Sequence, residues 1–126
     1  MVKKNNKKLG NLGEDIVVKY IKKYKGWKIL GRNFNYKTGE LDIIAKDKNT
    51  IIFVEVKASS KESAKHFKPE DHFNYKKVNN FTKTAQAYLM KNNYSADTDY
   101  RIDLAALEIN KETRIARLRY YKNAVG

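Results

Sequence analysis

The chain has 126 residues, enough for one domain with a single core and not for two. It carries 27 Lys and Arg against 14 Asp and Glu, for a formal net charge of +13, and no cysteine; disulfide frameworks and Cys-based zinc sites are excluded, a cytoplasmic setting fits, and polyanions are attracted. His66 and His72 are the only histidines, which gives little support to a His-rich metal site or a nucleophile–His relay.

No apolar run approaches membrane-spanning length, and the opening MVKKNNKK lacks the apolar segment of a secretory signal. Nucleic acid, rather than a membrane, is therefore the partner that the charge points to. Residues 1–8 read as a flexible basic arm in which Lys7 and Lys8 can follow phosphates, and residues 9–126 read as one domain. From residue 9 to 24, Leu9, Leu12, Ile16, Val17, Tyr20, Ile21 and Tyr24 recur at spacings of three and four, which predicts a helix with one apolar stripe. Gly26 is its expected stop. Gly10 and Gly13 weaken a helix, and their physical use is the close approach of a sheet, a loop or a phosphate.

Residues 27–36 predict a strand with Ile29 and Phe34 inward, and residues 36–39 a turn. Two more short strands follow within residues 40–57, joined by a polar turn over residues 46–49. Residues 58–68, with Ser59, Ser60 and Ser63, read as a loop or broken helix, and Pro69 as the start of a helical turn. A second helix is expected over residues 75–90, with Val78, Phe81, Ala85, Tyr88 and Leu89 on its apolar face and Lys76, Lys77 and Lys83 off it. Strands over 100–109 and 114–121 close the chain, the first interrupted by Asp103. The order α-β-β-β-α-β-β predicts an α/β domain with a mixed central sheet and flanking helices.

The chemistry gathers in residues 40–57. Strand side chains alternate faces, so Glu55 and Lys57 point one way while Val54 and Val56 point the other. If the two strands pair as a hairpin, Asp42 can lie across from Glu55, and two such carboxylates can share a divalent ion. The sequence does not fix that register. Hard oxygens suit Mg²⁺, which binds through one or two carboxylates plus substrate phosphate, and a neighbouring lysine can orient water or meet developing charge. Glu-x-Lys by itself is equally the pattern of a surface ion pair. Context favours a site, because Glu55 and Lys57 break into the apolar run that begins at Ile51, and a small acidic centre at Glu40, Asp42 and Glu55 follows a strongly basic first third. Glu14 by itself reads as a favourable carboxylate in the first turn of a helix.

Taken together, Gly10-x-x-Gly13-Glu14, Arg32-Asn33, Gly39-Glu40-Leu41-Asp42, Phe53-Val54-Glu55-Val56-Lys57, Ala85-x-x-Tyr88-Leu89, Arg101-Ile102-Asp103 and the closing Tyr121-Lys122-Asn123-Ala124 resemble the YraN/UPF0102 family of bacterial proteins. The resemblance implies a restriction-endonuclease-like fold, similar to archaeal Holliday junction resolvases, with a nuclease site dependent on Mg²⁺ or Mn²⁺. It implies Asp42 and Glu55 as principal metal ligands, the Val56 carbonyl as a further ligand, Glu14 as an auxiliary acidic residue of the metal site that supports a second ion or its hydration shell, and Lys57 as the catalytic lysine. Lys7, Lys8, Arg32, Lys37, Lys76 and Lys77 are the expected nucleic-acid contacts. DNA, with branched structures as candidates, is the expected substrate. RNA stays open, and a homodimer is compatible, as related resolvases are dimeric. Two departures stand out: Ser59 occupies a position that is commonly basic, and Gln86 is followed at the fourth place by Met90 rather than by tyrosine. A nucleic-acid-binding module without catalysis, and a structural partner in a DNA-processing complex, are the alternatives.

Overall fold

The computed structural model describes residues 2–60 and 74–124, with the side chains described from residue 9 onward. His66, His72 and the expected loop and helical turn around residues 61–69 lie outside the described residues. Helix α1 (Val2–Tyr20) runs into a π-helical turn (Ile21–Lys25), then come β1 (Lys28–Tyr36), β2 (Gly39–Asp47), β3 (Thr50–Ser60), α2 (Tyr75–Lys91), β4 (Tyr100–Asn110) and β5 (Ile115–Tyr121). The expected order of elements is observed, with three differences in extent. Residues 2–8, read as an arm, continue α1; β3 runs on to Ser60 rather than yielding to a loop at Ala58; and α1 gives way to the wider π turn after Tyr20. Gly26 closes that turn in the left-handed conformation (φ 67°), donating its N–H to the carbonyl of Ile21 at 2.9 Å.

The strands form one five-stranded sheet in sequence order, with β3 and β4 parallel and every other pair antiparallel. A parallel pair needs a crossover, and the segment containing α2 supplies it. One face of the sheet carries Ile43, Ala45, Ile52, Val54, Ala105, Leu107 and Ile109 against Val17 and Ile21 of the first helix. The other carries Leu41, Ile44, Ile51, Phe53 and Ile102 against Phe81, Ala85, Tyr88 and Leu89 of α2. The central strands are thus buried on both sides, which accounts for the near-continuous apolar run 51–54. Among the described residues no helix is long and apolar enough to cross a membrane.

One expectation from the apolar stripe is corrected. Leu12 is 47% exposed, and the inward position beside it belongs to Gly13. A Cβ on Gly13 would come within 2.8 Å of the Ala58 Cβ and 3.4 Å of a Leu107 methyl. The helix can lie this close to β3 and β4 only because that side chain is missing, and the close approach brings the next residue, Glu14, down to the sheet.

Candidate functional site

Two breaks in strand alternation build the site. Leu41 packs on the α2 side of the sheet and Ile43, two residues later, on the α1 side, although positions i and i+2 of a regular strand share a face. The phase changes at Asp42. On β1, Phe34 pairs with Leu41 and Arg32 with Ile43, and between them Asn33 adopts φ 56°, a left-handed conformation that asparagine tolerates better than most residues. Both strands therefore switch face at the same level, and Asn33 and Asp42 are freed from ordinary in-or-out placement.

The β2–β3 ladder fixes the register that the sequence left open. It runs from Asp47↔Thr50, across the two-residue turn at Lys48 and Asn49, to Ile43↔Val54. One further step sets Asp42 level with Glu55. There the side chain replaces the ladder: Asp42 Oδ2 accepts the Val56 N–H at 2.8 Å. Glu55, half-buried on the α2 face, is hydrogen-bonded to the Asp42 carboxyl. Two carboxylates can share a hydrogen bond only if one keeps its proton. Burial, that bond and the Asp42 charge push the Glu55 carboxyl up to about 10, with Lys77 opposing.

Glu14 reaches the same level from α1. Burial first and the Asp42 charge second raise its carboxyl to about 7, against the opposing Arg32. Arg32 Nη2 lies 3.5 Å from Glu14 Oε1 and 2.9 Å from Asp15 Oδ1. With its amide nitrogen turned toward the carboxylates, Asn33 donates to Glu40 Oε1 at 2.9 Å and to Glu14 Oε1 at 3.1 Å. Glu40 is itself raised by burial of its carboxyl and by Asp42. The structure thus joins Asp42 and Glu55 as a pair and places Glu14 in a neighbouring network with Arg32, Asn33 and Glu40.

Among the described residues no group of three or more Asp, Glu, His or Cys side chains is arranged to hold a metal. The donor set that fits a hard divalent cation is the smaller one of Asp42 and Glu55. Its shared proton occupies the position where positive charge is needed, and an Mg²⁺-type ion is often held by one or two carboxylates. Lys57 is exposed on the same face as Glu55, two residues along β3. Lys77, in the first turn of α2, lines a pocket together with Glu55. Lys76 is exposed beside it, and Lys37 lies over the Tyr36 ring at 5.7 Å. Arg32, expected as a phosphate contact, is paired within the chain with Glu14 and Asp15. Lys7 and Lys8 lie in the helical backbone of α1, and their side chains are outside the described residues. Ser59, at the commonly basic position, donates to the Leu107 carbonyl at 3.3 Å.

Asn33 is the site residue to which sequence reasoning gave no role, and Glu40 was read only as part of the acidic centre, without its partner Asn33. The signals were present, an asparagine directly after Arg32 and a third acid two places before Asp42, but their meaning depends on the coincident phase change in two strands.

An elevated Glu55 and an elevated Glu14 have the same consequence for stability. Between the ordinary value of 4.5 and the folded values of about 7 for Glu14 and about 10 for Glu55, the folded state holds protons that the unfolded chain has released. Stability therefore falls as pH rises through this window, the contribution being complete only below about 4.5. In chelator, the melting temperature of the wild type minus that of Glu55→Gln is expected to decrease steadily from about pH 5 to about pH 9. A difference that is flat, or that grows with pH, contradicts the shared-proton geometry.

The fold and the cluster define an α/β protein with a carboxylate site where the second and third strands of a mixed sheet part. The family model described as "Uncharacterised protein family UPF0102" matches residues 13–107, and the chain belongs to that family. A UPF0102 protein of Clostridium botulinum is 40% identical over 119 residues, covering 94% of each chain. One from Caldicellulosiruptor saccharolyticus is 37% identical over 120 residues, covering 95% of this chain and 98% of its own.

Proposed function

We propose that this protein is a nuclease of restriction-endonuclease-like fold that uses Mg²⁺ or Mn²⁺ to hydrolyse DNA phosphodiester bonds, with branched structures as its candidate substrates. The observation that carries the reading is the Asp42–Glu55 pair, with one carboxyl buttressed by the Val56 N–H and the other sharing its proton.

Each part of the site has work to do in phosphodiester hydrolysis. Asp42 and Glu55 would hold the cation, Glu55 giving up its proton as it does so. The N–H and C=O of one strand residue point to the same edge, so the Val56 carbonyl faces the side on which its N–H meets Asp42 and can add a third oxygen. A bound divalent cation supplies charge neutralisation at the phosphoryl oxygens and acidifies water. Lys57, beside Glu55 on one face, would orient the attacking water or meet the negative charge that develops on the phosphoryl oxygens. Lys76, Lys77 and Lys37 hold flanking phosphates without regard to sequence. Glu14, tied to Arg32 and Asn33, stands near Asp42, where it would support a second ion or its hydration shell once a bound cation offsets the Asp42 charge. Net positive charge elsewhere draws the polyanion toward this small acidic centre.

The test is cleavage of labelled single-stranded, duplex, flap and four-way-junction DNA in Mg²⁺, Mn²⁺ or chelator. Products dependent on the cation are expected. Intact DNA throughout, from folded protein that binds the same panel, overturns catalysis and leaves a binding module.

A further inference from the structure

The pocket beside Glu55 has a chemistry of its own. It opens between the start of β2 and the first turns of α2, and is lined by Gly39, Glu55, Lys77, Asn80, Phe81 and Thr84 among others. Its volume is about 240 Å³, below the roughly 300–1,000 Å³ of pockets that enclose drug-sized ligands. That is room for a single small ring system and too little for a base pair.

Its polar groups differ in availability. Thr84 is buried and donates its hydroxyl proton to the Asn80 carbonyl at 2.9 Å. In its 2.7 Å contact with Thr38 it must therefore accept, since a hydroxyl has one proton. Both hydroxyl protons are spent on the scaffold. The Asn80 side-chain amide, by contrast, has no hydrogen-bond partner among the described residues and lines the pocket. An amide offers a donor pair and an acceptor side by side, the pattern that reads the edge of a nucleobase. Phe81 supplies an apolar wall, and Lys77 places a cation at the rim.

From this arrangement we infer that the pocket receives one unpaired nucleobase, next to the phosphate engaged at Asp42 and Glu55. The inference rests on the nuclease reading for its placement, because Glu55 is both a member of the carboxylate pair and a wall of the pocket. A phosphate held at the pair puts its attached nucleoside at the pocket mouth. The base can enter only if it has left the stack, which costs least where the base is already unpaired. The substrate class is then DNA with an extrahelical or single-stranded nucleotide at the cleavage point, rather than continuous duplex.

Three DNAs test this: an unbroken duplex, the same duplex with one bulged nucleotide, and that bulge made abasic. Affinities are read by fluorescence anisotropy in Ca²⁺, which oxygen ligands such as this carboxylate pair can hold, and cleavage of the same three in Mn²⁺. The wild type is expected to bind the bulge carrying a base about tenfold more tightly than the abasic bulge, and Asn80→Ala to reduce that ratio to below about threefold. Equal affinity of the wild type for the two bulges overturns the pocket, as does an Asn80→Ala protein that keeps the full ratio, or a wild type that binds none of the three. Base preference without cleavage leaves the pocket standing and sinks the nuclease reading. Cleavage without base preference does the reverse.

Discussion

Glu55→Gln is expected to lower cation-dependent cleavage of DNA by at least about 10²-fold while leaving the fold intact. Glutamine is the uncharged analogue of the protonated carboxyl that Glu55 presents, so it can still donate to Asp42 across the strand gap. What it cannot do is release a proton and become the second negative ligand. Loss of cleavage with an unchanged or higher melting temperature at neutral pH is therefore the expected signature. Cleavage at the wild-type rate by the Gln variant removes Glu55 from the chemistry. A collapsed melting temperature would show instead that the pair serves packing.

Asp103→Ala is expected to carry the largest cost in stability, about 3–5 kcal/mol. Asp103 is fully buried, on the α1 face, and three donors converge on it: Arg101 Nε at 3.0 Å, the Tyr120 hydroxyl at 2.5 Å and the Asn123 N–H at 2.8 Å. Removing the carboxylate leaves a largely buried guanidinium and a buried phenol without their acceptor. Arg101 also lies 5.2 Å over the Trp27 ring, and Tyr120 packs against Trp27 and Tyr20. Burial and the hydrogen bond to Asp103 raise the Tyr120 hydroxyl well above the ordinary phenol range, so it stays a donor. The network pins β5 and the following turn to β4, helped by the Ala124 N–H to the Ile102 carbonyl at 2.8 Å. Denaturant unfolding measures the loss, and a drop in melting temperature of about 10 °C or more accompanies it. A cost below about 1 kcal/mol would mean that water replaces the carboxylate readily.

The order of helices and strands was legible because most apolar positions obey one period at a time, 3.6 in Val78, Phe81, Ala85 and Leu89, and 2 in the last strand. The placement of Gly13 was not legible. Hydrophobic periodicity registers what a side chain gains by burial and is silent about a position buried because it has no side chain, so Leu12 took the place that Gly13 holds. The π turn adds to the error by shifting the phase after Tyr20, and Tyr24, expected in the stripe, is 67% exposed.

At the site, the intrusion of Asp42, Glu55 and Lys57 into apolar strands was visible in the sequence, and the pairing of the first two was not. That pairing depends on the length of the turn at Lys48 and Asn49 and on the simultaneous change of face at Asn33 and Asp42. Arg32 was legible only as a charge. Its charge suggested phosphate, whereas the neighbouring helix brings Glu14 and Asp15 to it. Charge along a sequence gives the long-range field, but the partner of each charge is set by tertiary contact.

The central claim is that Asp42 and Glu55 form a cation site closed by a proton in the absence of the ion. Calorimetric titration of the wild type with Mn²⁺ at neutral pH, in two buffers of different ionisation heat, tests it most directly. The account predicts saturable binding accompanied by proton release, with both lost in Glu55→Gln. Binding that releases no proton, or that persists undiminished in the variant, would contradict it.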